Sequence, residues 1–114
     1  MGAGRDLYER WQHGAPPTVP REDVEKVLDE FFPSRRRRGG KEPMVVEHLW
    51  FKALTEWPLG SFTVALVSGR QVKRCYVDDL VFLIGYVEWF RAKGWSEDKP
   101  VPRVLGEKYE QEFR

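Results

Sequence analysis

Apolar residues recur along this chain with two different periods, and the change of period marks out its elements. Val24, Val27, Leu28, Phe31 and Phe32 fall at the spacing of one helical face. Pro20 suits a first helical position, and Glu22 and Asp23 complement the helix dipole. Pro33 cannot continue the helix, and Ser34 to Lys41 is all polar, basic or glycine, which predicts a solvated loop. From Met44 to Leu54 the residues alternate imperfectly, with Val45, Leu49, Phe51 and Ala53 on one side of a strand and Val46, His48, Trp50 and Lys52 on the other. The turn chemistry of Glu56 to Gly60 leads into a second strand, Ser61 to Val67. Ser68-Gly69-Arg70 predicts a tight hairpin into a third strand, about Gln71 to Tyr76.

The helical period then returns from Val77 to Lys93, with Leu80, Val81, Ile84, Val87 and Phe90 on one face and Gly94 as terminator. The resulting class is α/β (α+β): helix, three-stranded antiparallel meander, helix. Both helices are expected on one face of the sheet, so the other face, carrying His48, Trp50 and Lys52, is expected to be open. Asp6 to His13 predicts a short helix ending at Gly14, followed by an extended Ala15-Pro16-Pro17 connector. The organisation expected is an N-terminal arm over 1–19, a domain over 20–95 and a C-terminal tail over 96–114, with at most a short helix near Glu107 to Phe113.

Composition narrows this picture. A chain of 114 residues suits one core, and its five tryptophans supply large apolar areas. A single cysteine, Cys75, cannot form an internal disulfide, which predicts a reducing cytoplasmic location and a buried packing thiol. No stretch is uncharged for the length of a membrane span, and the charged start lacks the apolar core of a signal peptide. The net charge of +1 argues against a uniformly basic surface. The cations are nevertheless clustered, with Arg35, Arg36, Arg37 and Arg38 contiguous and Arg70, Lys73 and Arg74 close together.

From about Leu7 to Phe90 this order of residues resembles the HicA-type (YcfA-like) toxins, small mRNA interferases with a double-stranded-RNA-binding-domain-like fold. The resemblance is carried first by Pro20-Arg21-Glu22-Asp23-Val24-Glu25-Lys26-Val27-Leu28. Glu47-His48-Leu49-Trp50-Phe51-Lys52 stands where the family has Gly-Ser-His-His followed by an aromatic and often a basic residue. Phe62-Thr63-Val64-Ala65 and Gly69-Arg70-Gln71-Val72-Lys73-Arg74 follow in the family's order. Val46-Glu47 replaces the Gly-Ser, Leu49 the second histidine, Ala53 a later strand histidine and Ala65 a proline. The resemblance implies RNA as substrate, a HicB-like antitoxin as partner, no cofactor and no metal. It also implies His48 as the catalytic residue.

Such a reaction needs a base to take the 2′-hydroxyl proton, and an imidazole titrating near neutrality suits it. Lys52, Lys73 or Arg74 would then stabilise the phosphoryl charge. Arg35 to Arg38 and Arg70 are expected to hold phosphates, and Trp50 to stack a base on the open sheet face. The alternative is a non-catalytic RNA- or protein-binding module that kept the fold and lost the active site. Tyr76-Val77-Asp78-Asp79 is not a polymerase metal motif, because its aspartates open a helix in a chain too short for a palm domain. His13 has the ordinary role of a histidine near a helix end. No zinc spacing, phosphate-binding glycine loop or nucleophilic triad is present.

Overall fold

Two close-packed helices begin the structure, and one glycine sets their separation. The computed structural model describes residues 2–33, 36–37, 44–67 and 70–114, with Arg36 and Arg37 described by their backbone. Helix α1, Ala3–Gln12, buries Leu7, Tyr8 and Trp11, and helix α2, Arg21–Phe31, buries Val24, Val27, Leu28 and Phe31. A methyl group on Gly4 would meet the Lys26 carbonyl oxygen at 2.5 Å, so only glycine admits the α2 backbone this closely. Tyr8 packs edge-on against Phe31 at 5.1 Å, and the Arg5 guanidinium covers the same ring. The segment expected as an arm is thus a packed helix, and the α2 face follows the predicted spacing.

The strands depart from the expected meander. β1, Thr18–Pro20, pairs antiparallel with β5, Gln71–Lys73, setting Val19 opposite Val72, both buried. β2, Arg36–Arg37, pairs antiparallel with β3, Met44–Glu47, and the order of that sheet is β2-β3-β4, where β4 is Ser61–Val64. The predicted third strand therefore leaves its expected neighbour. Val67 and Gln71 exchange both backbone hydrogen bonds, at 2.7 and 3.1 Å, as the hairpin reading required, but the pairing stops at that bridge. β5 continues along β1 instead, bracketed by Arg21 N–H to the Arg70 carbonyl and Arg74 N–H to the Pro17 carbonyl. A three-residue strand such as β1 is too short to show alternation, which is why the pattern did not reveal it. Of the predicted 34–41 loop, only Arg36 and Arg37 lie within the described residues, and they are in a strand.

Helix α3 runs Arg74–Ala92, and Val77, Leu80, Leu83, Ile84, Tyr86, Val87 and Phe90 along it are buried, a wider face than the single predicted stripe. It ends as the sequence predicts. Gly94 has φ +82°, its N–H bonds the Arg91 carbonyl, Trp95 N–H bonds the Phe90 carbonyl, and the Trp95 ring closes edge-on over Phe90 at 5.5 Å. That is a complete Schellman end with its hydrophobic contact.

The chain forms two compact units, Met1–Val46 with Thr63–Val81, and Glu47–Phe62 with Phe82–Arg114. The mixed α/β class expected from the sequence holds. In the second unit the predicted tail is helix α4, Arg103–Phe113, docked on a 3₁₀ segment, Leu49–Ala53. Gly106 is buried there, and a methyl group at this position would collide with the Ala53 carbonyl and side chain. Cys75, expected to be buried, is exposed in the first turn of α3. Among the described residues no helix is long and apolar enough to cross a membrane. We predict that Gly106→Ala costs about 1–3 kcal/mol by overpacking against Ala53, read as a fall in the urea midpoint. An unchanged midpoint would show that α4 is not held against the 3₁₀ segment.

Candidate functional site

His48 follows directly on β3, in extended conformation (φ −152°, ψ 132°), and starts the 3₁₀ segment. Phe51 N–H bonds the His48 carbonyl and Leu54 N–H bonds the Phe51 carbonyl, so the chain coils where a continuing strand would have stayed flat. Strand alternation therefore ends at Glu47, and its inner residues are Met44 and Val46, the reverse of the expected parity. His48, Trp50 and Phe51 all turn inward.

The open platform of His48, Trp50 and Lys52 is not formed. His48 is 2% exposed and Trp50 is fully buried, while Lys52 is exposed. The Trp50 indole N–H is held by the Ser96 and Lys99 carbonyls, at 3.3 and 2.9 Å. The Trp50 carbonyl accepts the Tyr86 hydroxyl at 2.6 Å. Burial, then the nearby charge of Glu110 and Tyr109, keeps that phenol protonated by raising its pKa far above the ordinary value. A tryptophan with its N–H, carbonyl and ring all engaged presents no face for a base to stack on.

His48 is equally committed. Its Nδ1 accepts the Trp50 backbone N–H at 3.1 Å, capping the 3₁₀ segment. A nitrogen that accepts carries no proton, so the ring proton sits on Nε2, which lies 2.8 Å from Glu97 Oε1 and donates to it. The same carboxylate oxygen takes Arg91 Nη2 at 2.9 Å. Partial burial pushes the Glu97 carboxyl upward, but the hydrogen bonds from Arg91 and His48, with the Arg91 charge, outweigh it and bring the pKa down to about 2. The group Trp50–His48–Glu97–Arg91 is thus a closed hydrogen-bond chain.

Besides Lys52, the predicted cations fall into two sets. Arg35 and Arg38 lie outside the described residues, and Arg36 and Arg37 are described only as backbone paired with Val46 and Val45. Arg70, Lys73 and Arg74 are exposed in the first unit, at the turn before β5, at the end of β5 and at the start of α3. The alternation of β5 buries Val72 and turns Lys73 outward. Among the described residues Arg74 makes a surface ion pair with Asp78 at 3.8 Å, which holds it weakly. His48, Trp50 and Lys52 belong to the second unit.

Glu97, Arg91 and Tyr86 were not singled out in the sequence, and Glu97 meets His48 across 49 residues of chain. The one local signal for Glu97 was its place just after the Gly94 terminator, where the chain reverses. Among the described residues no group of three or more His, Cys, Asp or Glu is placed to hold a metal ion. No family model, curated protein or solved structure matches this chain.

Two outcomes follow from this geometry. His48→Ala removes the cap, the Glu97 bond and buried volume together, and is expected to cost about 2–3 kcal/mol in chemical denaturation. A neutral result would contradict the burial. Because the folded Glu97 pKa is about 2 against 4.5 ordinarily, its contribution is full above pH 4.5 and disappears as pH falls toward 2. Glu97→Gln should therefore flatten the acid loss of stability in that window. An identical pH profile in the variant would remove the carboxylate from this role.

Proposed function

We propose that this protein is a non-catalytic RNA-binding module that holds RNA phosphates through Arg70, Lys73 and Arg74. The reading is preferred over an mRNA interferase on one observation: both ring nitrogens of His48 are occupied inside the protein, one by the Trp50 N–H and one by Glu97. A general base needs a free lone pair within reach of the substrate hydroxyl. Here the only lone pair caps a helix end, and the ring is 2% exposed.

Phosphate contact is supported by three exposed cations within five positions of a strand end and helix start. Such contacts position a nucleic acid without reading its sequence, as guanidinium and ammonium groups do at phosphate oxygens. A chain of net charge +1 then binds through one face, not through its whole surface.

Fluorescence anisotropy with a labelled single-stranded RNA tests this. Affinity should fall steeply with salt, and replacing Arg70, Lys73 and Arg74 by alanine should flatten the log–log slope by about 2, at roughly 0.7 per lost phosphate contact on a single strand. The RNA should remain uncut by wild type. Cleavage that is lost in a folded His48→Gln variant would restore the interferase reading, and salt-independent binding would point to an apolar protein partner.

A further inference from the structure

Between the end of α3 and helix α4 lies a cleft of about 320 Å³ walled by Trp89, Phe90, Trp95, Tyr109 and Phe113. Five aromatic side chains meet there, and two of them are left open to solvent, Trp89 at 43% and Phe113 at 48%. Their mutual packing is edge-on or tilted, Trp89 against Tyr109 at 5.9 Å and Trp89 against Phe113 at 5.4 Å, so ring faces are not closed off by parallel stacking. The charged lining is Lys93, Lys108 and Glu112. Neither lysine has an ion-pair partner among the described residues, and the Lys93 ammonium rests over the Trp89 ring at 4.9 Å.

We propose that this cleft binds one nucleotide, its base stacked on Trp89 and its phosphate held by Lys93 and Lys108. The volume lies at the lower end of small-ligand pockets, about 300–1,000 Å³, which suits one planar base and not an extended peptide or a second copy's helix. The charge balance, two lysines against one carboxylate, selects a planar group that carries negative charge at one end. Lys93 now occupies the Trp89 face by a cation–π contact, and a phosphate draws that ammonium aside while the base takes its place. Glu112 accepts hydrogen bonds and donates none, so it favours the exocyclic amino group of cytosine over uracil, whose one imide N–H lies between two carbonyl oxygens that repel a carboxylate. The site uses none of Arg70, Lys73 or Arg74 and stands independently of the RNA reading above.

The test uses the full chain, with cytidine monophosphate and a short oligocytidylate as separate probes and their uridine counterparts as controls. Wild type should bind the cytidine probes more tightly, and Trp89→Ala should weaken them at least fivefold at a temperature where circular dichroism shows the variant folded. Lys108→Ala provides a second variant at the exposed rim and should weaken them as well. Binding of the oligocytidylate without the monophosphate identifies RNA as the source, and binding of both identifies the mononucleotide unit; either supports the site. Oligocytidylate binding that Trp89→Ala and Lys108→Ala leave unchanged, yet the Arg70, Lys73 and Arg74 replacement abolishes, overturns the cleft and keeps the RNA reading. Equal binding of uridine probes overturns the role of Glu112. A dimer that Trp89→Ala dissociates, with no nucleotide bound, overturns the proposal in favour of self-association.

Discussion

A neutral imidazole has one acceptor and one donor, and in this chain both are used to hold the second unit together. His48 Nδ1 takes the Trp50 N–H, which fixes the first turn of the 3₁₀ segment and so aims the Trp50 side chain inward. From that position the indole N–H reaches the Ser96 and Lys99 carbonyls, and the Trp50 carbonyl receives the Tyr86 hydroxyl. His48 Nε2 meanwhile donates to Glu97, already anchored by Arg91 near the end of α3. Three parts of the chain, the 3₁₀ segment, α3 and the turn after Gly94, are therefore joined through one ring. Buried polar groups are costly when unpaired, so these groups stabilise the unit only as a complete set.

The turn that this network holds also determines where α4 starts. The Schellman end at Gly94 reverses the chain, Val101 is buried, and α4 then returns to pack Gly106 against Ala53. Glu110 accepts the Thr55 N–H and hydroxyl, and Arg114 pairs with Glu56 while covering Trp57 and Phe82. A segment whose composition resembles a solvated tail thus becomes a packed helix through partners supplied by residues 53–57. The aromatic cleft is a consequence of that docking, because Tyr109 and Phe113 reach Trp89 only when α4 lies along α3.

Chemistry and charge consequently occupy different places. The histidine that a family resemblance would make a base is built into the fabric of one unit. Arg70, Lys73 and Arg74 belong to the other, in the turn before β5, on β5 and in the first turn of α3. Nucleic-acid affinity asks only for exposed cations and ring faces, whereas general-base catalysis asks for an accessible lone pair at a defined geometry. The arrangement uses the group needed for the second in holding the fold.

What the amino-acid sequence determined by itself was local. The α2 face, the end of α3 at Gly94, the root of the hairpin at Val67 and Gln71 and the mixed α/β class all arise from residues close along the chain, where helical spacing, glycine conformation and turn chemistry act directly. The tertiary structure alone decided the rest. Whether Met44 to Leu54 continues as a strand depended on a cap at His48 and on Glu97, 49 residues away, and the alternation that placed His48 on an open face held only while the strand lasted. β5 chose β1 over the neighbouring strand because that pairing buries Val19 against Val72, a contact across 53 residues that no short-range period encodes. Periodicity reports which way a side chain points relative to its neighbours. Which partner it meets is settled by burial and by the pairing of every enclosed polar group, and those are properties of the folded chain.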